Sequence, residues 1–354
     1  MSKFLSYIHN LRGVAILFVV GVHARGNMYD WTSHPESHKL IATIFDAQEG
    51  NGTVMFLFIA GFLFQHLQQH SFQYARYLKQ KFKVIILPYI LISIPIIVLR
   101  IAQQFHPWSA SDDFTSHSWT YQFFYYLVTG THMSPFWFIS AIILFYFTTP
   151  ILHWLDKPWF YRYVFPVLLV AGLFTFRSEH NGNPILSYLH YLPVYVAGMW
   201  ASRYKKEIFS MDLRYFWILT SIYLTISIFE FNVGFGNLAE VDFETVLNDG
   251  VFIFNWYILR ALILCFMFAM LFYRVQFAKM PALELLAEYS FGIFFVHFIL
   301  IIASRKLIES IIAPVNFSLL TFTIFLMAIV LLSTVAVFCI KKITGPYSRL
   351  LIGS

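Results

Sequence analysis

Leu11–Ala24 reads LRGVAILFVVGVHA. It has the composition of a membrane helix, yet an arginine, Arg12, stands at one end and a histidine, His23, at the other. Eleven positions of helix separate them, about 16 Å at about 1.5 Å per residue. That is also close to three turns, so the two side chains fall within about 20° of one face. Ionisable groups inside a bilayer are costly and as a rule face a protein interior or a wet cavity. Either residue alone could snorkel to an interface. The pairing on one face weighs against that reading.

The rest of the composition agrees with a membrane protein. Of 354 residues, 59% are hydrophobic and 20% aromatic, and 12% are charged. A soluble domain carries about 25% charged residues. Mean hydropathy is +0.67. At about 20 apolar residues per crossing, the sequence predicts an all-α polytopic transmembrane helical bundle of about ten spans. These are Leu5–Ala24, Thr53–Leu67, Val84–Gln104, Met133–Trp154, Tyr161–Phe176, Ile185–Ala201, Tyr215–Phe231, Val251–Tyr273, Ser290–Ser304 and Leu319–Ile340. Trp119–Thr131 is aromatic but short and reads as interfacial or re-entrant. The longest connection, Arg25–Gly52, is too short for a soluble domain, so residues 1–354 read as one integral-membrane unit. No A-x-A site follows the first span, which is expected to be retained. Cys265 and Cys339 lie in apolar runs and suggest neither a disulfide framework nor a metal site.

Charge placement gives the orientation. Sixteen of the 24 Lys and Arg fall at the N-terminus, the tail and the connections on their side. Five fall on the other side, and Arg12, Arg100 and Arg260 lie within spans. The positive-inside rule then puts both termini in the cytoplasm. The formal charge of +6 is topogenic in this reading and points to the bilayer, not to nucleic acid.

Within this frame, Arg12 suits an anionic or carbonyl group, and His23 suits general-base work near neutral pH. Arg76, Lys79, Lys81 and Lys83 lie at the cytoplasmic mouth of the third span. They could hold phosphates or anchor to anionic headgroups. His297 lies well inside its span, where an interhelical hydrogen bond is one role and substrate contact another. Trp137 and Phe138 fall at the outer interface, where they can form an aromatic belt or stack on a sugar. The i, i+4 pairs His34/His38 and His66/His70 lack the setting of a metal site: Pro35 interrupts the first, and no carboxylate or Cys accompanies the second. Neither G-x-S-x-G nor H-E-x-x-H occurs.

The segment YIHNLRGVAILFVVGVHA (Tyr7–Ala24) resembles the opening of membrane-bound acyltransferase family 3, the bacterial integral-membrane glycan O-acyltransferases, which carry an arginine, ten residues and a histidine there. Four further blocks resemble that family in order: MFLFIAGFLF (Met55–Phe64), YLKQKFKVIILPYIL (Tyr77–Leu91), SPFWFISAIILFY (Ser134–Tyr146) and LAEYSFGIFFVH (Leu286–His297). The chain departs at Ala60, where the family often has Ser, and at Val84, a position often basic. The resemblance implies an enzyme of the bacterial inner membrane that moves an acyl group, most plausibly acetyl, from cytoplasmic acyl-CoA to a hydroxyl of a cell-surface or lipid-linked glycan. His23 and Arg12 would be catalytic, His23 either as general base on the acceptor hydroxyl or as a transiently acylated nucleophile. Arg76, Lys79, Lys81 and Lys83 would hold the acetyl-CoA donor, Trp137 and His297 would contact substrate, and no metal is implied. The alternative is an exporter or assembly subunit for a surface polysaccharide, without acyl-transfer chemistry.

Overall fold

The computed structural model describes residues 5–28, 35–45, 50–175, 181–233, 255–311 and 318–353. Among these the regular structure is helical and there is no strand. The main helices are α1 (Ser6–Asn27), α2 (Pro35–Phe45), α3 (Asn51–Gln68), α4 (Tyr74–Lys81), α5 (Leu87–Ala102), α6 (Trp119–Thr129), α7 (Trp137–Leu155) and α8 (Phe165–Gly172). They continue with α9 (Pro184–Arg203), α10 (Lys205–Phe209), α11 (Leu213–Val233), α12 (Trp256–Arg274), α13 (Pro281–Ile311) and α14 (Leu319–Thr344).

Helix boundaries follow local chemistry. Asn183 caps α9 by accepting from the amides of Ile185 and Leu186, with Pro184 at the first helical position, where a missing N–H costs nothing. Asn255 caps α12 through the Ile258 amide. Ser318 and Thr321 form a reciprocal capping box at the start of α14.

All ten expected spans correspond to helices, with edges shifted by a few residues or, for Ser290–Ser304, extended in both directions to Pro281–Ile311. The ends at Phe176 and Val251 lie outside the described residues. Six helical stretches among the described residues are long and apolar enough to cross a bilayer: Ser6–Asn27, Tyr74–Ala102, Ser134–Leu155, Trp256–Arg274, Pro281–Ile311 and Leu319–Leu351. Three connections contain more order than the sequence suggests. The basic segment is helix α4, which runs through a π turn (Phe82–Ile86) directly into α5. The Arg25–Gly52 connection contains α2. Trp119–Thr129 forms α6, an 11-residue helix too short to span.

Helix α1 sits at the centre, against α3, α12, α13 and α14. Its partner α13 runs parallel to it. Arg12 meets the Ala287 carbonyl and, further along, the ring of His23 meets that of His297, so residue numbers rise together. The helices close in at Gly13, where a Cβ would stand 2.5 Å from the Leu283 carbonyl oxygen. Helices α3 and α9 are likewise parallel. Gly61 and Gly198 lie at their crossing, and the Ser202 hydroxyl donates to Gln65 Oε1 at 2.7 Å further along. Both described chain ends lie at the Arg12 end of the bundle: Ser6 donates to the Gln276 carbonyl at 2.8 Å, Lys341 pairs with Glu288 at 2.8 Å, and Gly353 packs on Val84 and Phe291.

Candidate active site

Four helices converge on His23. Val19 and Val22 of α1, Thr53 and Phe56 of α3, Trp137 and Phe138 of α7, Phe294 of α13 and the neighbouring Pro135 line, with His23, a small open cleft. The walls are mostly aromatic. Phe138 lies 6.4 Å from Phe56 and 5.8 Å from Phe294 between ring centroids, and Trp137 stacks on Tyr191 at 6.0 Å. A half-buried imidazole thus faces a space bounded by flat apolar rings, with the Thr53 hydroxyl among them. Thr53, Phe56 and Phe294 carry no separate signal in the sequence. They are ordinary residues of apolar spans until helix packing turns them toward His23.

On its other side, His23 meets His297 at 5.4 Å between ring centroids and Phe298 edge-on at 5.5 Å. The structure therefore brings together four of the residues singled out from sequence: His23, Trp137, Phe138 and His297.

Arg12 lies apart from them. Its Nε donates to the Ala287 carbonyl at 2.9 Å, and Nη2 donates to the same oxygen. The Ser290 hydroxyl donates there too, at 2.9 Å. Arg12 thus clamps α1 to α13 about three turns below His23, using two of its five N–H groups. The basic residues also lie toward the Arg12 end, because Val84, one residue after Lys83, packs against Gly353. Arg76, Lys79 and Lys83 are exposed, spaced three and four residues apart on one face. Lys81 turns inward instead, with its ammonium 5.3 Å from the Tyr77 ring centroid and 5.1 Å from that of Tyr146. The four residues are not one cluster of like environment.

The wall carrying Pro135 and Trp137 is fixed by the turn before it. Helix α6 ends at Gly130, which has φ +76° and whose Cβ would meet the Phe136 backbone at 2.5 Å. Both the left-handed conformation and the close approach require glycine. His132 is buried next to it. Its Nδ1 donates to the Tyr126 carbonyl at 3.1 Å, and Nε2 accepts from the Ser93 hydroxyl at 2.9 Å. Burial pushes its pKa down to about 4, so the ring is neutral and ties α6 to α5. At the opposite end, Asp156 accepts from Arg203 (3.1 Å), Tyr161 (2.8 Å) and Gln65 (3.2 Å), a satisfied network joining α3, α7 and α9.

Of the remaining cations in spans, Arg260 is fully buried, 2.5 Å from Glu230, and Arg100 lies 4.0 Å from the Phe105 ring centroid. Among the described residues, no three His, Cys, Asp or Glu side chains gather where they could hold a metal. His34 lies outside them. His38 is in α2, and His66 ends α3 with His70 just beyond it. Cys265 is buried and Cys339 exposed, both as free thiols.

The described helices, six of them long and apolar enough to cross a bilayer, are those of a multi-pass membrane protein. The acyltransferase family 3 domain matches residues 5–339, and the chain belongs to that family. No curated protein and no solved structure gives a significant match.

Proposed function

We propose that this protein is an O-acyltransferase of the bacterial inner membrane that moves an acyl group, acetyl above all, from cytoplasmic acyl-CoA to a hydroxyl of a cell-surface or lipid-linked glycan. The observation that carries this reading is the cleft at His23, where an imidazole and flat aromatic walls meet in a protein of this family. In this reading the bundle crosses the membrane ten times with both termini cytoplasmic. The donor's phosphates meet the exposed face of Arg76, Lys79 and Lys83. Its acyl arm passes Arg12, whose N–H groups not taken by Ala287 can receive a carbonyl or phosphate oxygen. The thioester then stands near His23, and Trp137 stacks on the acceptor sugar.

The transfer itself needs little more than position and one base. His23 takes the proton from the acceptor hydroxyl as its oxygen adds to the thioester carbonyl. The C–S bond breaks, and the leaving thiolate takes that proton back from the imidazolium. The apolar walls limit competing hydrolysis by keeping water sparse.

The test is the ester content of the native surface glycan, read by NMR or mass spectrometry, in a deletion strain complemented with wild type or His23→Ala at matched membrane abundance. Wild type is expected to restore the ester and His23→Ala to lower it by a factor of about 10² or more. Full acylation by His23→Ala would remove the catalytic assignment. A fall in glycan amount at constant ester per sugar would make the protein an exporter or assembly subunit.

A further inference from the structure

The ring of His297 packs against that of His23, 5.4 Å between centroids. The His297 side chain is fully buried, and its Nδ1 is 2.9 Å from the Ile293 carbonyl oxygen. A carbonyl only accepts, so Nδ1 carries the proton and Nε2 of the neutral ring is a bare acceptor. Nε2 has no hydrogen-bond partner and no access to water. An acceptor buried in that way is costly unless something donates to it. Two rings flank it: Phe294 at 6.1 Å and His23 at 5.4 Å between centroids. Of these, His23 alone has an N–H to give. The contact is built into the helix pair. Arg12 and His23 are eleven residues apart on α1, Ala287 and His297 ten apart on α13, and the helices run parallel. The clamp at Ala287 therefore sets the register that brings the two imidazoles together.

We propose that His297 is the positioning residue of His23. The two rings touch without a hydrogen bond as they stand; on a small turn of the His23 ring, His297 Nε2 receives the N–H of one His23 nitrogen and so holds the other, as a bare lone pair, toward the cleft. This rests on the reading of His23 as the base. During transfer the acceptor O–H bond breaks and its proton goes to the cleft-facing nitrogen of His23. The C–S bond breaks, and the thiolate recovers that proton. His297 holds the second N–H throughout and gains no proton of its own, as an orienting group does when it fixes a tautomer.

The experiment uses membrane vesicles of a deletion strain that keeps its native glycan, carrying full-length wild type, His23→Ala, His297→Gln or His297→Leu. Radiolabelled acetyl-CoA is the donor, and label in alkali-labile ester is read against donor concentration. Protein abundance and melting temperature are measured for each variant. His297→Leu is expected to lower the maximal rate by about 10- to 100-fold with KM for acetyl-CoA unchanged, since a base misplaced by about 1 Å loses up to about 100-fold. His297→Gln, whose amide oxygen can still accept, is expected to stay within about five-fold of wild type. If His297→Leu does not accumulate, His297→Phe replaces it as a ring without an acceptor. Wild-type rates in the Leu or Phe variant overturn the proposal. So does equal damage by Gln and Leu in stable protein, or a loss seen wholly in KM. Label incorporation by wild type but not by His23→Ala, with His297→Leu unimpaired, sinks this inference and leaves the proposed function standing. No incorporation by wild type sinks both.

Discussion

At the scale of single residues, Arg12 and His23 were legible because their types are rare inside apolar runs and their spacing puts them on one face. Their partners were not, since a carbonyl such as that of Ala287 belongs to every residue and has no signature in sequence. Arg12 takes that oxygen with two N–H groups of a rigid fork, and Lys would offer a single point charge on a flexible stem. Arg12→Lys is therefore expected to keep the charge and lose the clamp. Hydrogen bonds from charged groups contribute about 1.5–3 kcal/mol, so thermal unfolding in detergent should show a clear loss. An unchanged melting temperature would mean that the clamp holds nothing. Lys81 shows the converse problem. In sequence it is one of four similar cations, and only the tyrosines 5.3 and 5.1 Å from its ammonium separate it from its exposed neighbours.

At the scale of elements, the parallel pair α1 and α13 depends on close approach at Gly13. Gly13→Val places a branched side chain against the Leu283 carbonyl, 2.5 Å from the first added carbon. Overpacking of this kind costs about 1–3 kcal/mol and is expected to shift the helices enough to lower acyl transfer as well. Gly26→Ala, on the same helix with nothing within 4 Å of the added carbon, should leave both unchanged and serves as the control. The junction of α5 and α6 makes a different prediction. His132 has its pKa depressed from 6.5 to about 4 by burial. Between those values the unfolded chain binds a proton that the folded one does not, so stability is full above pH 6.5 and declines as pH falls toward 4. At about 1.4 kcal/mol per unit the decline is of the order of 3 kcal/mol. Melting temperature measured from pH 7 to pH 4.5 should fall less steeply in His132→Asn than in wild type, and parallel curves would refute the assignment. The sequence predicts an interfacial or re-entrant segment at Trp119–Thr131. It does not reveal that a histidine three residues past the helix fastens it to α5, because Ser93 and His132 are 39 positions apart.

For the whole molecule, the ion pair of Arg260 and Glu230 is buried between helices, at 2.5 Å between side chains exposed by 0% and 1%. It joins α12 to α11, and Arg260 also donates to the Thr43 carbonyl of α2 at 2.8 Å. Removing one partner of a buried pair leaves an uncompensated charge and costs about 3–5 kcal/mol. Glu230→Gln is therefore expected to lower thermal stability sharply, and a melting temperature within a degree or two of wild type would show that the pair is dispensable. The sequence by itself determined the class of protein, its all-helical build and the family. Apolar length, charge depletion and motif order are local properties of the chain, and the bilayer imposes helices on any segment that must satisfy its own backbone there. It also singled out Arg12 and His23 as candidates, through their face on one helix. Tertiary structure decided what those residues do with each other and with the rest. It separated Arg12 from the cleft and made it a clamp, turned Thr53, Phe56 and Phe294 toward His23, drew Lys81 out of the basic face, and set His297 against His23. The physical reason is that these are contacts between helices far apart in the chain. Their register depends on close approaches at single glycines and on hydrogen bonds to main-chain oxygens, and periodicity within any one segment carries no record of either.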